Sequence, residues 1–288
     1  MDVVHGDRME WGGSLTQHRA GHMTHKVLFQ GAEGSPDNYL LVLANERSDY
    51  YSPRHRHAWD QVRFCLEGSV PIGRDLKVDA GEIGYFPEGV HYGPQEGGPD
   101  RIVLLLQVGG ASGLGYLSPE QLERGRERLC GEGRFAEGIF RRASDEGRKN
   151  EDAYEAIWRS VTGAPLSYPK PRYRAPIVLR PDGFLWRELH GQPGARCKHL
   201  GTFPERELSL ELVAVESGCG YAVPASSSRR FIFVREGAGQ CGSEPFRAHS
   251  ALRVEPGEHG HLSAGTSAEL LVIGVGLVGR ARAPAVAG

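Results

Sequence analysis

The sequence predicts an all-β fold made of two barrels in tandem with a helical connector between them. Short apolar stretches, such as residues 39–44 and 101–108, alternate with clusters of Gly, Pro, Asp and Asn, a pattern typical of short strands joined by tight turns. The second half repeats landmarks of the first: Phe64 and Phe233 lie 169 residues apart, and so do Pro87 and Pro256. Such a repeat indicates two copies of one barrel.

The length of 288 residues is sufficient for two domains, each with its own core. We expect the following segments in chain order: a disordered tail at 1–23, a first barrel at 24–116, a helical and Pro-rich connector at 117–175, a second barrel at 176–280, and a tail at 281–288.

The connector is predicted from a change of pattern after the first barrel. Residues 118–161 carry Glu, Arg, Leu, Ile and Ala at helical spacing. Ser118 can cap the first helix, and Pro119 is suited to its first turn. The five prolines between Pro165 and Pro181 favour an extended segment before the strands resume.

Composition favours a small-molecule partner. The 34 Lys and Arg nearly balance the 36 Asp and Glu, which gives no electrostatic reason to expect nucleic acid or an anionic membrane. No apolar run reaches the roughly 20 residues of a membrane helix, and the beginning of the sequence lacks the pattern of a signal peptide. The five cysteines have no C-x-x-C spacing, so a reducing cytoplasm is the expected location.

One strand carries an unusual row of polar side chains. Side chains in a strand alternate between two faces, so a single face collects His55, His57, Trp59, Gln61, Arg63 and Cys65. The intervening Val62 and Phe64 also require burial, which places the polar row inside the barrel. A polar barrel interior indicates a binding or catalytic site.

A second segment completes a recognisable pair. After His55-x-His57, Gln61 and Gly68, the chain has Gly81, five residues, and then Pro87-x-Gly89-x-His91. The two segments resemble the cupin signature, although the second is one residue shorter between Gly89 and the histidine than the commonest form, and Gln61 stands where most metal-binding cupins have glutamate. The resemblance implies two cupin barrels.

The resemblance also implies one divalent metal per chain, held by His55, His57 and His91. Three neutral imidazoles are suitable ligands for Fe(II), which we expect first, and for Mn, Co, Ni or Zn. Gln61 is either a fourth ligand through its amide oxygen or a hydrogen-bond partner of a metal-bound water.

The second barrel is expected to be metal-free and to serve a structural or dimer-forming role. At the offset of 169 residues the predicted ligands meet side chains that bind metals poorly or repel them. The pairs are His55 with Pro224, His57 with Ser226, Gln61 with Arg230, and His91 with Gly260.

Within the cupins, the run from His55 to Gly68 is similar to gentisate and related salicylate-type ring-cleaving dioxygenases, which share a bicupin layout, an iron held by three histidines and an Arg-Phe pair at this spacing. The similarity implies that Arg63 binds a substrate carboxylate; the alternative is a salt bridge to Glu82 or Glu67. Further candidates for contact with substrate are Trp59, Tyr85 and Gln107.

We therefore expect a metal-dependent cupin enzyme, an Fe(II) dioxygenase-like oxidoreductase acting on a small hydroxylated or acidic molecule, with no further catalytic residue assigned. The alternatives are a metal-assisted isomerase, hydratase or lyase, and a ligand-binding cupin without catalytic activity, because fold resemblance alone leaves the function open. Edge strands that need covering favour a homodimer.

Overall fold

The structure, a computed structural model, describes residues 1–15, 19–144 and 149–278. It has two compact units: one spans Glu10–Leu179, and the other combines Met1–Met9 with Arg180–Gly288. Both are built mainly from antiparallel strands, so the predicted all-β fold of two tandem barrels is confirmed.

Strands make up most of both units. Up to residue 179 they are, in chain order, β1 (Asp2–His5), β2 (Met23–Gln30), β3 (Tyr39–Glu46), β4 (Trp59–Glu67), β5 (Ser69–Pro71), β6 (Lys77–Asp79), β7 (Ile83–Phe86), β8 (Arg101–Gly109), β9 (Gly133–Ala136), β10 (Ile139–Arg142), β11 (Asn150–Asp152) and β12 (Ile177–Leu179). From residue 180 onward they are β13 (Arg187–Glu188), β14 (Ala195–Phe203), β15 (Leu208–Val215), β16 (Gly220–Val223), β17 (Arg229–Glu236), β18 (Ala238–Cys241), β19 (Glu244–Arg247), β20 (Ser250–Val254), β21 (Gly260–Ala264) and β22 (Ala268–Val275).

The first unit is organised around a six-stranded sheet with the order β12-β7-β4-β8-β3-β2. Strand β4, which carries the polar row, lies between β7 and β8, and its residues 59–65 are all buried. The apolar strands β3 and β8 pair along their full length, from Tyr39 opposite Val108 to Glu46 opposite Arg101. The polar face therefore lies on a strand that is paired on both sides within the sheet.

Two helices cover this barrel. Helix α1 (Pro119–Cys130) begins at Ser118, whose hydroxyl accepts from the Gln121 amide in a capping box, with Pro119 in the first turn. Helix α2 (Ala153–Thr162) is capped by Asp152. Both helices contribute to one apolar cluster with Trp59 of β4, so the expected connector belongs to the first unit. None of the described helices is long and apolar enough to cross a membrane.

The boundaries of the predicted segments need correction. Residues 117–175 also contain the three-stranded sheet β11-β10-β9, which the helical spacing did not predict. Strand β12 pairs with β7, so the second unit resumes at Arg180 and not at residue 176. The expected tail at 281–288 lies outside the described residues.

The expected disorder of residues 1–23 is wrong for the described parts of this segment, residues 1–15 and 19–23. Strand β1 pairs with β20, with Val3 opposite Leu252, and contributes an edge to the second barrel. Further on, Gly12 forms a β-bridge with His25, and Met23 begins β2. A short segment whose partner strand lies some 250 residues away gives no local periodicity, so the sequence pattern could not reveal it.

The second barrel consists of a seven-stranded sheet, β1-β20-β17-β22-β15-β14-β13, and a four-stranded sheet, β16-β21-β18-β19. Its interior is filled by a cluster of buried apolar side chains that includes Val213, Ile232, Leu252 and Leu270. This filled interior distinguishes the second barrel from the first, whose interior contains a polar cavity.

Candidate functional site

A cavity of about 100 Å³ lies inside the first barrel, and the polar row of β4 lines it. His55 and His57 lie just before β4 and not within it, but they face this space together with Trp59, Gln61 and Arg63 of β4. The two-residue alternation accounts for the last three. Cys65 continues the same row into an apolar cluster farther along the strand. The cavity has room for several water-sized groups, that is, for a small molecule.

His55 is oriented by the backbone beside it. Its Nδ1 lies 2.7 Å from the carbonyl oxygen of Pro53, and a carbonyl can only accept, so Nδ1 carries the proton. The lone pair on Nε2 is thereby directed into the cavity, the arrangement that binds a metal or accepts a proton. His57 stacks on Trp59 with ring centroids 4.1 Å apart and an interplanar angle of 9°.

The hydroxyl of Tyr92 lies at the centre of these side chains. Tyr92 Oη is 2.9 Å from His55 Nε2 and 3.2 Å from His57 Nε2. It also lies 3.4 Å from Gln61 Oε1 and accepts from Arg63 Nη2 at 3.0 Å. Burial raises the pKa of Tyr92, while the nearby positive charge of Arg63 lowers it. Sequence analysis did not identify this residue.

The expected role of His91 is corrected by the structure. The backbone of His55 pairs with Tyr92 in an isolated β-bridge, and directly opposed residues point their side chains to the same face. Tyr92 therefore points into the barrel interior, where its hydroxyl contacts side chains that line the cavity, and the side chain of His91 is exposed. Within the three described ranges, no three His, Cys, Asp or Glu side chains form a group that could hold a metal, so the three-histidine site is not formed.

The signal for Tyr92 was present in the motif. The second segment is one residue shorter between Gly89 and its histidine than the commonest cupin form, and counting the usual interval from Gly89 ends at Tyr92 instead of His91. Spacing, and not residue type, identifies the inward position here.

Arg63 is buried, with 6% of its surface exposed, and its partners are not the carboxylates of the alternative prediction. Its Nε donates to Gln61 Oε1 at 2.8 Å and its Nη2 to Tyr92 Oη. Among the described residues, its hydrogen-bond partners are thus Gln61 and Tyr92 instead of Glu82 or Glu67, and its buried Nη1 has no hydrogen-bond partner. One edge of the guanidinium is thus available to a ligand.

The other predicted contact residues separate into two groups. Trp59 and Gln107 line the cavity. Tyr85 does not: it is fully buried on the neighbouring strand β7 and donates to Asp60 Oδ2 at 3.1 Å. Burial raises the pKa of that Asp60 carboxyl to about 6. Tyr85 and Asp60 therefore support the barrel on the other face of the sheet.

The cavity has a polar side and an apolar side. Among the described residues, the buried polar atoms of the lining that lack a hydrogen-bond partner include Arg19 Nη1, Trp59 Nε1, Gln95 Nε2 and the Tyr116 hydroxyl. Each of these can donate a hydrogen bond, although Arg19 also has an ion pair with Asp152 at 3.7 Å. The apolar side is formed by Leu40, Val42, Leu105, Leu117, Leu122 and the rings of Tyr154 and Tyr168. Such a lining suits an acceptor-rich group attached to a small apolar body.

The donor set around Tyr92 Oη fits a metal ion in its spacing. Ligand atoms about 2.1 Å from a common metal lie about 3.0–3.4 Å from one another in octahedral or tetrahedral geometry. Of the separations between Tyr92 Oη and the two imidazole nitrogens, 3.2 Å lies within that range and 2.9 Å just below it. Gln61 Oε1 lies 3.4 Å from the same hydroxyl and accepts from Arg63 Nε.

The position in the second barrel that corresponds to Gln61 is Arg230. This arginine is 8% exposed, and its Nη2 donates to the carbonyl oxygen of Glu258 at 3.3 Å. A cation at this position disfavours a metal ligand set, and the metal-free second barrel stays a prediction.

Comparisons with known proteins identify the fold of this chain but do not assign it to a family. No family model matches the chain, and no curated protein matches it. Among solved structures, a "putative dioxygenase" from Nostoc punctiforme is similar with a TM-score of 0.61 and 11% identity, over 98% of this chain and 87% of that one. Oxalate decarboxylase from Bacillus subtilis has a TM-score of 0.55 and 11% identity, over 95% and 76%.

A third similar structure is the "putative glyoxylate induced protein" from Pseudomonas aeruginosa, with a TM-score of 0.55, 11% identity, and coverage of 92% of this chain and 83% of that one. All three span nearly the whole chain, while their identity of 11% is too low to carry over an activity. The chain therefore has the two-barrel cupin fold, and its gentisate-type resemblance stays a prediction.

Proposed function

We propose that the first barrel is the active site of a metal-dependent enzyme that acts on a small carboxylate-bearing molecule. The observation that carries this proposal is the unpaired, buried Nη1 of Arg63, which lies beside two imidazoles whose Nε2 atoms converge on one point. An unpartnered buried guanidinium edge is costly unless a ligand completes it. A carboxylate is the group that fits it best.

His55 and His57 would hold the metal. When bound, a divalent ion at this point supplies Lewis acidity or a site for activating dioxygen. Fe(II) is the ion we propose first, with Mn, Co, Ni or Zn as alternatives, because imidazole suits all of them. The Mn(II) centres of Bacillus subtilis oxalate decarboxylase, which shares the fold, support a divalent metal in such a barrel.

The protein side chains bind and orient the substrate. Arg63 binds the carboxylate through the edge of its guanidinium that does not contact Tyr92 or Gln61. Trp59 Nε1 and Gln95 Nε2 are further donors for acceptor atoms of the ligand. The apolar side beneath α1 and α2 excludes water from the body of the molecule. Holding a small acid in this way places the atoms next to its carboxylate near the imidazole pair.

The first candidate reaction is a dioxygenase-like oxidation, favoured by the fold shared with the Nostoc punctiforme protein. The second is a non-oxidative reaction of a lyase, isomerase or hydratase, favoured by the hydrogen bond between Tyr92 and His55, since these two groups can move a proton inside the cavity. A binding protein without catalysis is the remaining alternative.

Oxygen uptake separates the reactions. The iron-loaded protein is mixed with a panel of small carboxylic and hydroxylated aromatic acids, and oxygen consumption is recorded together with loss of the acid. Consumption of both supports the dioxygenase; loss of the acid without oxygen supports the second candidate. An acid that binds and stays unchanged indicates a binding protein. If no acid binds, or if Arg63→Lys leaves binding unchanged, the proposed site is wrong.

A further inference from the structure

We infer that Tyr92, and not His91, supplies the third protein donor of the metal site, as a phenolic oxygen beside the two imidazoles. This inference rests on the proposed function, because it names a ligand of the same site. It differs from the three-histidine set that the sequence motif implies.

The backbone places the tyrosine there. The backbone amide of His55 donates to the backbone carbonyl of Tyr92 at 3.0 Å. The backbone amide of Tyr92 donates in turn to the backbone carbonyl of His55 at 2.9 Å. This reciprocal pair fixes the register, so both side chains enter the cavity from directly opposed positions. His91, one residue earlier, is turned to the surface, and reaching the imidazoles would require a slip of the register.

The charges around the hydroxyl suit an anionic ligand. Two neutral imidazoles leave the charge of a divalent ion uncompensated, and Gln61 stands where a negatively charged glutamate is common. A phenolate at Tyr92 supplies the missing charge. Arg63 Nη2, which donates to Oη at 3.0 Å, stabilises that charge through an ionic hydrogen bond. Tyr92 would release its phenolic proton to solvent when a divalent metal binds, and its oxygen would then hold the metal in place of the O–H bond.

Arg63 then has two separate tasks. Its Nη2 holds the metal-binding oxygen of Tyr92, and its Nη1 is available for the substrate carboxylate. The substrate and the metal are thereby positioned by one rigid group.

Iron binding to the full chain tests the inference. Ferric iron coordinated by a phenolate has a charge-transfer band in the visible spectrum, which imidazole ligands do not produce. We expect this band and about one iron per chain in the wild type and in the control His91→Ala. Tyr92→Phe should lose the band and bind iron at least about ten-fold more weakly, because even outer contacts of metal ligands contribute about 10–100-fold. Tyr92→His should recover iron binding without the band.

Two results would overturn the inference. In the first, the wild type binds iron and Tyr92→Phe binds it with the same affinity; in the second, His91→Ala loses iron. Either outcome leaves the proposed metal enzyme intact, with other ligands. If the folded wild type binds no iron, manganese or cobalt, both this inference and the proposed metal-dependent function fail. Circular dichroism of each variant separates loss of metal from loss of fold.

Discussion

The hydroxyl of Tyr92 donates to Nε2 of His55 at 2.9 Å, across a β-bridge in which the two residues are directly opposed. The donor assignment follows from Pro53, whose carbonyl holds the other ring nitrogen in its protonated form. The contact connects the two segments of the cupin-like motif at the point where a metal would bind. The following predictions concern the site and the structure that supports it.

The first prediction concerns Arg63→Lys. The lysine keeps a positive charge but loses the fork that contacts Gln61, Tyr92 and the ligand together. Affinity for small carboxylates should fall by about 1.5–3 kcal/mol, the value of a hydrogen bond to a charged group. Isothermal titration calorimetry with a series of small acids provides the measurement.

The matched control for this change is Arg54→Lys, at an exposed position just before His55. It should leave carboxylate affinity unaltered. Equal losses in both variants would mean that the site attracts anions only through its general charge, and Arg63 would then have no specific role.

The second prediction concerns pH and the buried His25. Burial lowers the pKa of His25 to about 4, whereas an unfolded histidine titrates near 6.5. Between these values the unfolded chain binds a proton that the folded chain does not, so the free energy of unfolding rises with pH in this interval. The contribution of the neutral His25 to the free energy of unfolding is complete above about pH 6.5 and is lost as the pH falls towards 4. It amounts to about 3 kcal/mol.

His25→Asn should remove this pH dependence, because an asparagine side chain does not titrate. Its side-chain oxygen can still accept from the backbone amide of Leu15, which in the wild type donates to His25 Nδ1. Urea unfolding at pH 7 and pH 5 measures the effect, with the exposed His190→Asn as the comparison. An unchanged pH dependence in His25→Asn would refute the assignment.

The third prediction concerns the Pro-rich segment that follows α2. Arg172 donates at 2.8 Å to the fully buried carboxylate of Glu88, which also accepts from the Ser112 amide at 2.9 Å. Arg172→Ala should reduce the free energy of unfolding by about 1–3 kcal/mol, since a buried carboxylate loses a charged partner. It should also make the segment easier to cleave in limited proteolysis.

Arg174→Ala, two residues farther along and exposed, provides the control and should behave as the wild type. The anchoring role of Glu88 would be excluded if both arginine variants were cleaved at the same rate.

The fourth prediction is a homodimer. Strand β2 lies at the edge of the six-stranded sheet, and a long edge strand needs a partner or a cover. Light scattering at micromolar concentration should give twice the mass of 31.5 kDa calculated for one chain. A monomer under those conditions would contradict this expectation.

Much of the first barrel could be predicted from the sequence. The alternation of Trp59, Gln61 and Arg63 identified the inward face of β4, although the strand begins after the two histidines. Ser118 with Pro119 identified the beginning of α1. Both are local patterns, set by the geometry of a single strand or a single helix turn.

The features that were missed depend on distant parts of the chain. Tyr92 enters the site because its backbone pairs with His55, 37 residues earlier. Strand β1 forms because its backbone pairs with β20, which lies far away in the sequence. The unpaired donors of Gln95 and Tyr116 are brought to the cavity by tertiary packing. Local patterns carry no information on such pairings. For this reason the motif, which is one residue shorter than the commonest form, led to the prediction of His91 instead of Tyr92.

Anomalous X-ray diffraction from crystals grown with Mn(II) or Fe(II) tests the central claim most directly. The proposed function and the Tyr92 inference predict one strong peak per chain, located between His55 Nε2, His57 Nε2 and Tyr92 Oη, with none inside the second barrel. A peak that involves His91 and not Tyr92, a peak in the second barrel, or no peak in the first barrel at saturating metal would contradict the account.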